Sequence, residues 1–487
     1  MTPSHDSPLP LWARLADVVV LVITAASLSV AVFGGFRVMY AGVVITAHEP
    51  LRLLAFAAIL LAVRHYIRRS PSLSARIVST LRSLVAAESV RSIAPMFLWS
   101  RAGILLVATL SVSTFGYPQR VPFRVSQHEM GNLPARWDAG WYLGIARGGY
   151  EYDSRLEGQQ NVVFFPAFPM LMRSAGIFVG GHVDDRSRVQ TRLASLVWGG
   201  VLVNLAALAG ALGYLYRMVR AVADREVALA AVSLALAYPA AFVYNAPYTE
   251  GLFLLGSLAT FYHFGRNQLV SAALWGTVIG LSRPNGFILA APLAAIALAR
   301  SGPFPSLGPW LDRLNTRTDR PRHLWRDLAV AVTPFVGLLL YSGYLYWTWG
   351  DAFLWARLHG AWGRTYEGLA PAMQPLTGIG EYGVSRYATR EGYELLNVLP
   401  FVLAIAISVP IALRLGLAYT MLILLTVIPP LLAGGWLSMA RITVTLFPIY
   451  VFLAMVVPER HRVGVLVVFA LLQGLGASLF FTWRPFY

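Results

Sequence analysis

The sequence predicts an all-α polytopic membrane protein, and three observations carry that expectation. Of 487 residues, 57% are hydrophobic and only 13% are charged, with a mean hydropathy of +0.60. Several apolar runs reach the roughly 20 residues that a bilayer-spanning helix needs. The runs do not alternate polar and apolar residues, so a membrane barrel is excluded and helices remain.

Spans are expected near 15–34, 51–67, 98–116, 193–218, 226–244, 248–265, 268–283, 285–300, 328–349, 396–413, 416–433, 441–457 and 463–482. The first run lacks a small-residue cleavage site and reads as a retained span. Between the first two, Phe36-Arg-Val-Met-Tyr-Ala-Gly-Val-Val-Ile-Thr46 alternates as a small hairpin would. Residues 1–96 read as a two-span accessory module, set apart from residues 97–487. The segment 164–180 is apolar but opens Phe-Phe-Pro-Ala-Phe-Pro and contains Arg173. It either crosses the bilayer or is re-entrant.

The formal charge is +16, with no lysine and no cysteine in the chain. The absence of cysteine excludes disulfides, thiolate metal sites and cysteine nucleophiles. An all-arginine basic complement marks topology better than it marks nucleic-acid binding, which is not expected. Arg68, Arg69, Arg76, Arg82 and Arg91 put their loop in the cytoplasm. A re-entrant 164–180 also puts inside Arg217, Arg220 and Arg225, the Arg300–Arg326 stretch and the Glu459-Arg-His-Arg462 turn. The positive-inside rule therefore favours thirteen spans, N-terminus inside and C-terminus outside. Every unusual polar motif then faces the other side.

The first of these motifs is Pro134-Ala-Arg-Trp-Asp-Ala-Gly-Trp-Tyr142. Asp138 sits among aromatic rings just outside an apolar run, where a carboxylate is costly unless it is paired or used. Its alternative role is to cap the short helix expected from Ala139 to Ala146. Glu250, in the first turn of a span after Tyr244-Asn-Ala-Pro-Tyr248, is a second carboxylate candidate; the helix dipole alone also favours an acid there. Arg283 and Arg441 are either snorkelling anchors or a clamp for an anionic phosphate. The loop Gly350–Arg364 opens with a surface helix expected from Ala352 to His359, and His359 is expected to be structural. No ligand cluster points to a metal.

Taken in order, these motifs resemble those of the PIG-V-type mannosyltransferases. The resemblance rests on Trp137-Asp-Ala-Gly-Trp-Tyr142, Ile145-Ala-Arg-Gly-Gly-Tyr150, Phe164-Phe-Pro-Ala-Phe-Pro169 and Tyr238-Pro-Ala-Ala-Phe242. It continues through Ala246-Pro-Tyr-Thr-Glu250, Ser282-Arg-Pro-Asn-Gly286, Gly350-Asp-Ala-Phe353, and Ser438-Met-Ala-Arg441 with Leu446-Phe-Pro448. It covers residues 97 to 457, with Ile442 standing where the family's closing motif has an aromatic residue. It implies a GT-C fold, an active site facing away from the cytosol, and a polyprenyl-phosphate-linked sugar donor, usually mannose. No cofactor is expected, and Asp138 matches the family's acidic residue in the first large outer loop.

On that reading Asp138 is the base of an inverting transfer, and Glu250 would be needed as nucleophile only in a retaining one. Arg136, Trp137, Trp141, Tyr142, Tyr248, Arg283 and Arg441 are the expected substrate-binding residues. The acceptor is a lipid, a glycan or a protein. The competing reading is a lipid or glycolipid flippase, which would show repeat symmetry and ionisable residues deep in its spans.

Overall fold

The computed structural model describes residues 10–33, 36–40, 43–47, 49–68, 72–77, 79, 88–118, 123–180, 189–301, 323–390 and 392–484. The expected cytoplasmic residues Arg69, Arg82, Arg313, Arg317, Arg320 and Arg322 lie outside them. The fold is helical almost throughout, as the apolar runs require. The expected hairpin is present as Phe36–Tyr40 paired antiparallel with Val43–Ala47, Phe36 opposite Ala47. Helices Leu11–Phe33 and Pro50–Ile67 flank it. They are joined by the buried Asp17 carboxylate, which meets Arg64 Nε at 2.8 Å and Nη2 at 3.0 Å and also pairs with Arg76. The bidentate geometry compensates two charges that would be expensive apart.

Four described helices are long and apolar enough to cross a membrane: Glu88–Phe115, Leu193–Arg220, Glu394–Arg414 and Glu459–Phe481. A fifth such segment is the pair Leu324–Ala331 and Thr333–Trp349, bent by 41°, with Pro334 at the bend removing a backbone donor. Several other expected runs are shorter helices that stop or start beside a proline. Helix Arg225–Ala237, capped by Asp224 Oδ1 accepting from Val227 N at 2.8 Å, stops before Tyr238-Pro239. A tight turn over Ala241–Asn245 follows, and the next helix starts at Glu250. The run expected at 441–457 is likewise divided into Met439–Thr443 and Phe447–Val456. Helix Glu88–Phe115 runs unbroken through the expected 96/97 boundary.

Helix Ala167–Gly180 has 14 residues, about 21 Å at 1.5 Å per residue, short of a ~30 Å hydrocarbon core. It packs on helix Val189–Arg220 through a backbone contact. A Cβ on Gly199 would fall 2.3 Å from Gly176 N, so glycine at both positions permits the approach. The main core gathers residues of helices Glu88–Phe115, Val189–Arg220, Arg225–Ala237, Ala290–Ser301, Leu417–Leu432 and Phe447–Val456.

Candidate active site

The breaks, more than the helices, build the site. Backbone groups freed at Tyr238–Glu250 need partners where water is absent. Arg101, from helix Glu88–Phe115, donates to the carbonyls of Leu236 at 3.0 Å and Ala241 at 2.6 Å and to Asn245 Oδ1 at 3.1 Å. Asn204, from helix Val189–Arg220, donates to the carbonyls of Val243 and Ala246 and accepts from Gly251 N at 2.8 Å. Tyr244 donates to the Val444 carbonyl at 3.1 Å. This holds Tyr248 and Glu250 against the Arg136–Asp138 turn and the turn before Arg441.

Asp138 occupies the N-cap position of helix Ala139–Gly148, yet its side chain makes no capping bond. It turns instead to Arg441, whose Nη1 donates to Asp138 Oδ2 at 2.7 Å. The turn that aims it is unusual: Trp137 sits at φ +50°, a left-handed conformation rare for a bulky residue. Tyr248 fixes that turn, its hydroxyl accepting from Asp138 N and donating to the Arg136 carbonyl, both at 3.1 Å.

Glu250 joins the same network from the opposite side. Its Oε1 forms an ion pair with Arg441, 2.8 Å from Nε, and accepts from Arg283 Nη1 at 3.3 Å. The carboxylate is fully buried, and Oε2 has no hydrogen-bond partner among the described residues. Arg441 therefore bridges both acids, with its guanidinium carbon 4.9 Å from the centre of the Tyr248 ring.

Aromatic side chains close the flanks. Trp141 stacks on Phe164 at 6.2 Å and meets Trp362 edge-on at 4.8 Å. Tyr142 packs edge-on to Phe164, Phe168 and Tyr248. Burial, then the Glu250 charge, pushes the Tyr142 hydroxyl well above its ordinary range, so it remains a neutral donor. The Phe164–Pro169 segment is tied to the Arg283 turn by Ala167 N donating to the Leu281 carbonyl at 3.0 Å.

The structure thus brings together Asp138, Glu250, Trp141, Tyr142, Tyr248, Arg283 and Arg441 among the expected residues. Arg136 and Trp137 lie behind the turn. Arg136 is fully buried and donates to the carbonyls of Phe481 at 2.7 Å, Asn132 at 2.5 Å and Ala135, and to the Tyr117 hydroxyl. The Trp137 indole donates to the Phe480 carbonyl at 3.3 Å. Both fasten the turn to helix Glu459–Phe481. His359 Nδ1 donates to the Trp355 carbonyl at 2.7 Å, one turn back in the chain.

Sequence reasoning gave no role to Arg101, Asn204, Trp362 or Arg364. Arg101 and Asn204 are polar residues inside apolar runs, a signal sufficient to find them. Nothing local distinguishes Arg364 from other loop arginines.

Residues 87–303 match the family model described as Mannosyltransferase (PIG-V). The chain is similar to GPI mannosyltransferase 2 of Cryptococcus neoformans var. neoformans serotype D, from two strains, at 31% identity over 140 residues. That stretch is 28% of this chain and 31% of the relative, so the match spans about a third of the relative's length. Among solved structures, the chain is similar to the Archaeoglobus fulgidus oligosaccharyltransferase tethered with an acceptor peptide, with a TM-score of 0.39 and 13% identity over 80% of this chain and 55% of that one. A second is AglB from the same organism in complex with an inhibitory peptide and a dolichol-phosphate, with a TM-score of 0.38 and 12% identity over 78% and 56%. Through residues 87–303, this integral membrane protein is similar to the PIG-V-type mannosyltransferases.

Proposed function

We propose that the chain is a GT-C membrane glycosyltransferase that moves mannose from a polyprenyl-phosphate-linked donor to an acceptor hydroxyl on the extracytoplasmic face. Asp138 is the base and the reaction inverts the anomeric carbon. The observation that carries this reading is the Asp138 side chain, which leaves its helix end uncapped and enters an arginine–carboxylate network flanked by aromatic rings. A helix cap would have no reason to do so.

Asp138 takes the proton of the acceptor hydroxyl as that oxygen bonds to the anomeric carbon. The bond from the anomeric carbon to the phosphate oxygen breaks on the opposite face, and its electron pair leaves with the prenyl phosphate. Charge developing on the phosphate is stabilised by nearby guanidinium groups already fixed in place, at no reorganisation cost. Trp141, partly exposed, offers a flat face to the sugar, and the buried Tyr142 ring packs behind it against Phe164. Glu250 fits a positioning role better than a nucleophile's, because it is buried and its Oε1 is held by two arginines.

The test is incubation of purified protein with radiolabelled polyprenyl-phosphate mannose and membrane extract. Label should pass to a new product with the anomeric configuration opposite to the donor's. Retained configuration would overturn the inverting mechanism. Movement of intact donor across vesicles without transfer would favour the flippase reading.

A further inference from the structure

Charge pairing within the site singles out one residue. Arg283 and Arg441, the arginines expected at the leaving phosphate, are already matched by Glu250 and Asp138 at 2.7–3.3 Å. Arg364 is not matched. Its Nη1 donates to the Pro430 carbonyl at 3.3 Å and its Nη2 to the Leu437 carbonyl at 2.8 Å. Both acceptors are neutral, and no carboxylate pairs with it among the described residues. A guanidinium has five N–H groups, and these bonds use two.

The side chain lies flat against the turn that precedes Arg441. A Cβ on Gly434 would stand 3.1 Å from both Arg364 Cδ and Nη1. The segment is pinned there by Glu367 N donating to the Leu432 carbonyl at 3.0 Å. Two residues earlier, Trp362 abuts Trp141 and Phe164, so the long outer loop bridges the first and last outer loops. The Trp362 indole N–H is buried without a hydrogen-bond partner among the described residues. Such a donor is costly to leave unmatched. Burial, then the charges of Arg441 and Arg283, lowers Arg364 to about 10, and Asp138 offsets this only in part. It remains a cation at neutral pH, in a neighbourhood with one positive charge in excess. A half-buried cation without a counter-ion favours the arrival of an anion.

We infer that Arg364 is a direct ligand of the donor's phosphodiester, the group whose single negative charge matches the excess charge of this site. The inference rests on the reading of a phosphate-linked donor. Arg441 and Arg283 then remain engaged mainly with the two carboxylates, and Arg364 supplies the specificity for a charged leaving group over a neutral one.

The experiment measures binding of prenyl methyl phosphate, a diester of fixed single charge, and of the matching prenyl alcohol to full-length protein in nanodiscs. Wild type should prefer the diester. Arg364→Gln should lose about tenfold of that preference while keeping the alcohol affinity, which also reports that the protein is folded. A folded Arg364→Gln protein that retains the preference overturns the assignment. A wild type without any preference overturns the phosphate-linked donor itself.

If Arg364→Gln does not fold, Arg364→Lys carries the test. Arg283, Arg441 and His359 face that position, as does Asp138. A lysine there titrates below arginine, so between about pH 7 and about pH 9 the preference should decline while wild type, with Arg364 at about 10, keeps most of its charge. An unchanged preference across that range in the lysine variant also overturns it.

Discussion

Replacing Asp138 with Asn separates chemistry from architecture. Asn keeps the size and hydrogen-bonding shape but cannot take a proton. Asn and Asp are near-equal N-caps, and the Asp138 side chain caps nothing, so the helix loses nothing locally. The loss to stability is that of the ion pair with Arg441. The two side chains are 25% and 10% exposed, between the surface case and the fully buried one. Arg441 also retains Glu250 as a partner. About 1–2 kcal/mol of stability should go, read as a lower melting midpoint with a single transition. Transfer should fall by about a hundredfold to ten-thousandfold, which raises the barrier by roughly 3–5 kcal/mol. The assay is transfer from radiolabelled polyprenyl-phosphate mannose at saturating donor, beside donor binding, which should change far less. A folded Asp138→Asn protein with near-normal transfer would refute the assignment of the base.

Glu250→Gln should be the more destabilising change, by about 3–5 kcal/mol, because it leaves Arg283 and Arg441 facing each other across a buried neutral group; thermal denaturation measures it. Gly199→Ala should lower stability despite alanine's better helix propensity, since its Cβ would meet Gly176 backbone at 2.3 Å and no rotamer relieves that; a melting point at or above wild type refutes the contact. Because the chain has no cysteine, single cysteines report sidedness cleanly. Positions 155 and 366 should label from outside intact cells with an impermeant thiol reagent, and 220 and 460 should not. External labelling at 220 or 460 would overturn the proposed orientation.

Much of the helical content was legible because apolar runs have no other way to satisfy their backbone in lipid. The geometry of those runs was not. Runs that read as single spans at 226–244 and 441–457 are divided at Pro239 and Pro448. Hydropathy averages over such breaks. At the site, Asp138 and Glu250 stood out because acids are conspicuous beside apolar runs, and Arg283 and Arg441 because they sit among prolines and glycines. Arg136 was misleading for a physical reason: proximity in sequence to Asp138 says nothing about which side of the turn a long side chain takes. Its partner at Phe481 lies 345 residues away. Arg364 was invisible for the complementary reason, since its importance comes from which charges surround it after folding.

That long reach has a consequence for how the protein comes into being. The turn that carries Asp138 emerges early, but its fasteners, the carbonyls of Phe480 and Phe481, and its counter-charge, Arg441, are synthesised more than 300 residues later. The anchors of the Tyr238–Glu250 break, Arg101 and Asn204, are by contrast already inserted when that segment arrives. Half of the centre is therefore assembled as the chain grows, and the other half waits for helix Glu459–Phe481. A nascent or C-terminally clipped molecule would hold Asp138 on an unmoored turn. On the proposed role of Asp138, competence waits until the whole bundle has closed, and activity becomes a reporter of complete insertion.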